Sequence, residues 1–287
     1  MAESRIKLNG LMETFYINLE IPPIGTVPIF LRRGGDGPKV LFVHGWLDTS
    51  LKWERIGEHL SPHYQVWALD LPGFGQTPAI PMRYTKFEIY AEILAKLIDH
   101  IGEGETLHSL VGHSMGGLVS LLLLTKYPDS TNHLIVCGAP VSGVWYLRPL
   151  ANWTQFVTQG LKTLQALPRT LQSPLIRFGN MVGLRSWKIE KHQRQNLNTT
   201  DPATASTLLK QICDCSLLER LTPRATNLLV IRGQHDPIVS RAASVQLAET
   251  FDGTFYEFEK AHHSPMLEQP DQFHHLIQQF LEKPHNK

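Results

Sequence analysis

The sequence predicts an α/β fold, a mostly parallel central sheet with helices on both faces. Short β-branched or aromatic runs alternate with longer stretches at helical spacing, the rhythm of strand–helix–strand units. The first of those runs, residues 39–44 (KVLFVH), is almost continuously apolar, as a strand covered on both faces must be. The chain also has the bulk for a proper core: 287 residues, 42% hydrophobic and 18% charged. A chain of that size buries roughly three quarters of its extended surface.

After the first strand, a helix is expected over residues 53–60 and a strand over 65–69. Residues 86–101 set Phe87, Tyr90, Ile93, Leu94, Leu97, Ile98 and Ile101 at helical spacing, with Gly102 placed to cap the end. A strand at 107–111, a helix at 116–126 and a strand at 134–137 follow. The rhythm then breaks. It resumes with a strand at 228–231, a helix near 241–250, a strand at 254–258 and a last helix from about 271 to 281. The interruption, residues 141–221, is too long for a loop and carries helical periodicity. It reads as a helical cap inserted into a core made of residues 1–140 and 222–287.

Charge and cysteine usage exclude several classes. With 27 basic against 26 acidic side chains, the net charge is +1, so the footprint of a nucleic-acid binder is missing and no such partner is expected. Apolar residues are too plentiful for disorder. Cys137, Cys213 and Cys215 cannot build a disulfide framework, which points to a reducing compartment. The N-terminal stretch MAESRIKLNGLMETFYINLE lacks the apolar core of a signal peptide, and no run approaches the roughly 18 apolar residues of a membrane span. The expectation is a cytoplasmic protein. Fourteen histidines invite a metal reading, but there is no H-E-x-x-H and no paired Cys-x-x-Cys, so no metal is expected. Cys213-Asp214-Cys215 reads as the buried edge of a cap helix, and His274-His275 as a solvated face of the last helix.

The most specific chemical signal is Gly112-His113-Ser114-Met115-Gly116, a G-x-S-x-G pentapeptide between a predicted strand and a predicted helix. A serine on so tight a turn needs glycine at the flanking positions, because side chains there would strike the neighbouring strand and helix. The turn lifts the hydroxyl above the sheet and aims the amides of a helix N-terminus at it. The backbone N–H of Met115, the residue after the serine, is one expected donor to an oxyanion. Serine is a weak nucleophile until a base takes its proton, and the base needs an acid to orient it. In such sites the chain order is serine, acid, histidine. Asp236 lies just past the strand LLVIRG, where ligand-facing residues of open α/β sheets gather. One strand later, His262 and His263 are the two candidates for the base.

Taken together, His44-Gly45-Trp46, DLPGFG (residues 70–75), GHSMGG (112–117), GQHDPIV (233–239) and HHSPMLEQP (262–270) resemble the α/β-hydrolase superfamily. The likeness is nearest to its esterase, lipase and carbon–carbon hydrolase members and covers nearly the whole chain outside the insertion. The resemblance implies the α/β-hydrolase fold and assigns the base to His263, leaving His262 where that family usually has glycine. It also implies the backbone N–H of Trp46 as the second oxyanion donor. His44 is expected to position its loop, Asp70, Gly73 and Gly75 to shape theirs, and Glu268 to tether the loop before Pro270.

A serine nucleophile implies acyl transfer to water without cofactor or metal, with ester hydrolysis as the first reading. Hydrolysis of a carbon–carbon bond in a diketone-like substrate would use the same three residues. A catalytically silent binding module on the same fold is the reading from another class. The insertion adds one expectation. Between Val141 and Ile189 there is no aspartate or glutamate, but there are Arg148, Lys162, Arg169, Arg177, Arg185 and Lys188, with Trp145, Trp153 and Trp187 among them. A cationic, aromatic lid suits a lipophilic ester substrate, delivered through transient contact with an anionic membrane surface.

Overall fold

A computed structural model describes residues 12–147, 196, 198–221 and 226–284. Eight strands form one sheet in the order β1-β2-β4-β3-β5-β6-β7-β8. They are β1 (Glu13–Ile21), β2 (Gly25–Gly34), β3 (Lys39–Val43), β4 (Gln65–Leu69), β5 (Leu107–His113), β6 (Thr131–Cys137), β7 (Asn227–Gly233) and β8 (Thr254–Phe258). From β4 through β8 every neighbouring pair is parallel. The alternation of runs along the sequence predicted that architecture.

The apolar runs are continuous because the sheet is buried on both faces. Along β3, Leu41 and Val43 enter one core while Val40 and Phe42 enter the other. Helices α2 (Phe87–Gly102), α3 (Met115–Lys126) and α5 (Arg241–Thr250) cover the first face with Leu94, Leu121 and Leu247. Helices α1 (Glu54–Leu60) and α7 (Pro270–Leu281), the latter following the short α6 (Pro265–Glu268), cover the second with Ile56 and Ile277. Helix α3 is apolar on nearly all sides, as a helix at the centre of a fold should be.

Three local readings differ from the structure. The sequence reading passes over β1 and β2, which form an antiparallel hairpin at one edge of the sheet. Only one side of β1 is strictly covered: Ile17, Leu19 and Ile21 are buried while Asn18 and Glu20 are exposed, so it lacks the continuous run that marks the inner strands. Helix α2 runs through Gly102 instead of ending on it. The left-handed residue is Glu103, at φ 56°, with Gly104 following at φ 87°. His274 is not solvated; it lies on the buried side of α7 with its ring 5.0 Å from that of His59, and of the two only His275 faces outward.

Strands β6 and β7 pair directly, Leu134 opposite Leu228, so the chain that leaves the sheet after β6 re-enters it beside its departure point. The described part of that excursion contains α4 (Pro202–Cys213). Asp201 caps it by accepting from the Thr204 N–H at 2.7 Å, Pro202 opens its first turn, and Ala205, Leu208, Leu209 and Ile212 form its buried face. Cys213 closes that face. The six insertion cations, with Trp153 and Trp187, lie outside the described residues. Among the described residues, no helix is long and apolar enough to cross a membrane.

Candidate active site

Only Ser114 separates the last residue of β5 from the first of α3, and its backbone sits at φ 52°, ψ −118°. A positive φ at a non-glycine residue costs of order 1–3 kcal/mol and persists only where surroundings impose it. Here Ser114 donates its N–H to the Cys137 carbonyl at 2.8 Å, and its own carbonyl accepts from Leu118 at 3.1 Å. The glycines on either side answer to space. A Cβ on Gly112 would lie 2.7 Å from the Gly117 Cα, and one on Gly116 would lie 2.4 Å from the Val43 oxygen. The pentapeptide spacing is thus a steric requirement of the turn.

The structure brings Ser114, His263 and Asp236 into one hydrogen-bonded chain. His263 Nε2 lies 3.0 Å from Ser114 Oγ, and His263 Nδ1 lies 2.9 Å from Asp236 Oδ2. His262 points elsewhere: its Nδ1 lies 3.0 Å from Glu268 Oε2 and its side chain is 61% exposed. Glu268 also accepts from the main-chain N–H groups of His262 and Ser264, at 2.9 and 3.1 Å, which ties down the loop carrying His263.

Asp236 has a fully buried side chain. Burial pushes its carboxyl up, but His263 and the N–H groups of Ile238 and Val239, at 2.8 and 3.1 Å from Oδ1, outweigh that and hold it below its ordinary value. It is a charged acceptor facing an imidazole N–H. Arg232 supports the loop from beneath, donating to the carbonyls of Val239 (2.8 Å), Gln234 (3.1 Å) and Asp236 (3.3 Å), and pairing with Glu257 at 2.7 Å. Gly138, at φ 61°, passes so close that a Cβ there would meet His263 Cε1 at 3.0 Å. Sequence reasoning missed both residues; a lone arginine or glycine at a strand end carries no local pattern.

Above the serine, the loop after β3 turns sharply, with the Asp48 N–H donating to the Gly45 carbonyl at 3.3 Å and Leu47 at φ 55°. A Cβ on Gly45 would lie 3.1 Å from Ser114 Cβ, which sets Gly45, the residue before Trp46, against the serine. Met115 opens α3, so its N–H belongs to the first turn, where no helical carbonyl can accept it. His44 accepts from the Leu71 N–H at 2.9 Å and Asp70 accepts from Ser50 and Gln76, at 2.6 and 2.8 Å, so these residues shape the loops around the site. The excursion between β6 and β7 docks on the same loops. Trp46 Nε1 donates to the Ala205 carbonyl at 2.8 Å, the main-chain N–H of Asp201 donates to the Gly73 carbonyl at 2.8 Å, and Tyr146 Oη donates to carbonyls of the loop carrying Asp236, at Pro237 and Ile238, at 2.7 and 2.9 Å.

A family model described as alpha/beta hydrolase fold matches residues 38–270. A pimeloyl-[acyl-carrier protein] methyl ester esterase of Aeromonas hydrophila is 28% identical over 265 residues, spanning 88% of this chain and 99% of that one. A 2-hydroxy-6-oxononadienedioate/2-hydroxy-6-oxononatrienedioate hydrolase of Escherichia coli is 24% identical over 276 residues, covering 90% and 92%. Among solved structures, a thermophilic esterase from Thermogutta terrifontis superposes with a TM-score of 0.73 at 24% identity, over 94% of this chain and 99% of that one. The last likeness speaks for the fold.

Proposed function

The chain belongs to the α/β-hydrolase fold family, and from that premise we propose that it is a serine hydrolase cleaving carboxylic esters through an acyl-enzyme. The observation that carries this reading is the chain Ser114 Oγ–His263–Asp236, at 3.0 and 2.9 Å, built on a strained turn. His263 Nε2 takes the hydroxyl proton as Ser114 Oγ attacks the ester carbonyl carbon. Asp236 holds the imidazole in the tautomer with its proton on Nδ1 and stabilises the imidazolium. The oxyanion is received by the N–H groups of Met115 and Trp46, donors fixed before the reaction begins. As the carbon–oxygen bond to the leaving group breaks, His263 returns its proton to the departing alcohol. A water then attacks the acyl-enzyme with His263 again as base, releasing the acid and restoring Ser114.

The segment 141–221 acts in this reading as the lid that shapes the acyl pocket. Its docking through Ala205, Asp201 and Tyr146 onto the loops after β3 and β4 and the loop carrying Asp236 supports the assignment. Its aromatic composition supports a lipophilic acyl group. The likeness to the Escherichia coli hydrolase favours a second reading, cleavage of a carbon–carbon bond in a diketone-like substrate by the same three residues. Kinetics against p-nitrophenyl esters of graded chain length, run beside a vinylogous diketone acid, decide between them. A kcat/KM that rises from acetate to medium chains supports the first. A rate that peaks at acetate removes the lipophilic pocket. Turnover of the diketone without turnover of any ester selects the second.

A further inference from the structure

Behind Ser114 and His263 lies a buried ion pair that the steps above do not use. The side chain of Lys52 is 1% exposed, and its ammonium has three acceptors: Asp48 Oδ2 at 2.8 Å, His113 Nδ1 at 3.2 Å and Ser264 Oγ at 3.3 Å. An ammonium carries three N–H donors and no lone pair, so each of those atoms must accept. The lone pair of His113 is therefore on Nδ1 and its ring proton on Nε2. That nitrogen lies 2.9 Å from the His263 carbonyl oxygen, to which it donates. Burial, with Lys52 and His263 nearby, keeps His113 well below its ordinary value, so the ring is neutral. The other oxygen of Asp48 accepts from the Thr49 N–H at 3.0 Å and from Asn196 Nδ2 at 3.2 Å.

As a stabiliser such a pair has little advantage. Two ions leave water to form it, and an apolar pair of similar volume often does as well or better. An apolar pair could not fix a tautomer, and it could not hold two atoms on either side of a peptide bond. Those are the two things Lys52 does, through His113 to the carbonyl of His263 and directly to the hydroxyl of Ser264. The imidazole of His263 is held by Asp236, and its ring centre lies 4.9 Å from that of His113. Its main chain is held by the Lys52 network.

We propose that Lys52 is a positioning residue for His263: its buried ammonium fixes His113 as the Nε2–H tautomer, and His113 and Ser264 then hold the His263 main chain where its ring meets Ser114. The proposal rests on the serine-hydrolase reading above. Asn196, from the excursion between β6 and β7, closes the far end of the network on Asp48, so the same chain of bonds ties that segment to the reacting histidine.

Lys52→Met alone would strand the Asp48 charge, so the test pairs it with Asp48→Asn, which keeps an acceptor and restores neutrality. Three readouts are taken on wild type and double variant: melting temperature, kinetics on a p-nitrophenyl ester, and long-range ¹⁵N–¹H histidine spectra assigned through His113→Gln. The wild type should show His113 protonated on Nε2 alone. In the folded double variant that pattern is lost or averaged and kcat falls about ten- to a hundredfold, the scale of a misplaced catalytic group. KM should move by less than about threefold, because ground-state binding is untouched. A folded double variant with wild-type kcat overturns the proposal. So does a wild-type His113 protonated on Nδ1, a result that needs no variant to fold. Wild-type protein that turns over no ester at all contradicts the serine-hydrolase reading instead, and the spectra still decide the tautomer.

Discussion

Strand β5 carries a histidine near each end, and the two are surrounded differently. At the carboxyl end, His113 and His263 stand with ring centres 4.9 Å apart, and each is tied to a charge, His113 to Lys52 and His263 to Asp236. At the amino end, His108 and His133 stand 5.1 Å apart, His108 stacked on Tyr64 at 5.6 Å and His133 against Phe280 at 5.7 Å. The ring nitrogen of His108 meets the Leu281 carbonyl at 3.2 Å, and burial holds this histidine below its ordinary value. The spacing is nearly the same; the partners are not. Aromatic packing surrounds the pair at the amino end, whereas charged side chains hold the pair at the carboxyl end.

The largest expected effects separate the two ends outright. Ser114→Ala and His263→Ala should each lower kcat by about five orders of magnitude, because members of such a unit fail together. His108→Phe should leave kcat within about twofold, since aromatic packing survives the change. Comparable losses from His108→Phe and His263→Ala would erase the distinction. Asp236→Asn comes next, at about 10⁴ in kcat, because an amide favours the wrong imidazole tautomer. Near-wild-type rates in that variant would mean that another residue is the acid.

Stability effects follow. Arg232→Met removes donors to three carbonyls and to Glu257, and should cost about 2–3 kcal/mol in urea unfolding with activity falling in proportion to misplacement of the acid loop. His274 gives a pH test remote from the reaction. Burial against α1, together with His59 and Arg55, lowers it from the ordinary value to about 4, opposed by Asp271. The unfolded chain then binds a proton between about pH 6.5 and 4 that the folded chain refuses. Stability is whole above pH 6.5 and falls as the pH drops through that window, by an amount of order 2 kcal/mol for this group. His274→Leu should flatten that part of the curve. An unchanged pH slope in the variant would assign the acid sensitivity to other histidines. A small effect is also expected of His262→Ala, less than about threefold in kcat, since its ring is mostly exposed and pairs with Glu268 outside the Ser114–His263–Asp236 chain.

How much of this was legible varies with the reach of the pattern. The inner strands announce themselves because burial on two faces writes an unbroken apolar run, as in Val40–Val43. The hairpin of β1 and β2 is covered unevenly, so its residues alternate and escaped notice, although Phe15, Ile17, Leu19 and Ile21 keep a period of two. Ser114 was legible because steric demands at Gly112 and Gly116 are local. The choice of His263 over His262 needed a resemblance, since spacing alone leaves both open. Nothing in the sequence joins Lys52 to His113, Ser264 and Asp48 to Asn196. Those contacts are made by the fold, between residues up to 212 positions apart.

The most direct measurement of the central claim is covalent labelling by a fluorophosphonate, followed by intact mass and peptide mapping at about pH 8, above the ordinary histidine range. Wild-type protein should take up one probe per chain, on Ser114. Ser114→Ala should take up none, His263→Ala should react about a thousandfold more slowly, and His262→Ala should keep close to the wild-type rate. An unlabelled wild type, or labelling of Ser114 at full rate in His263→Ala, would contradict the account.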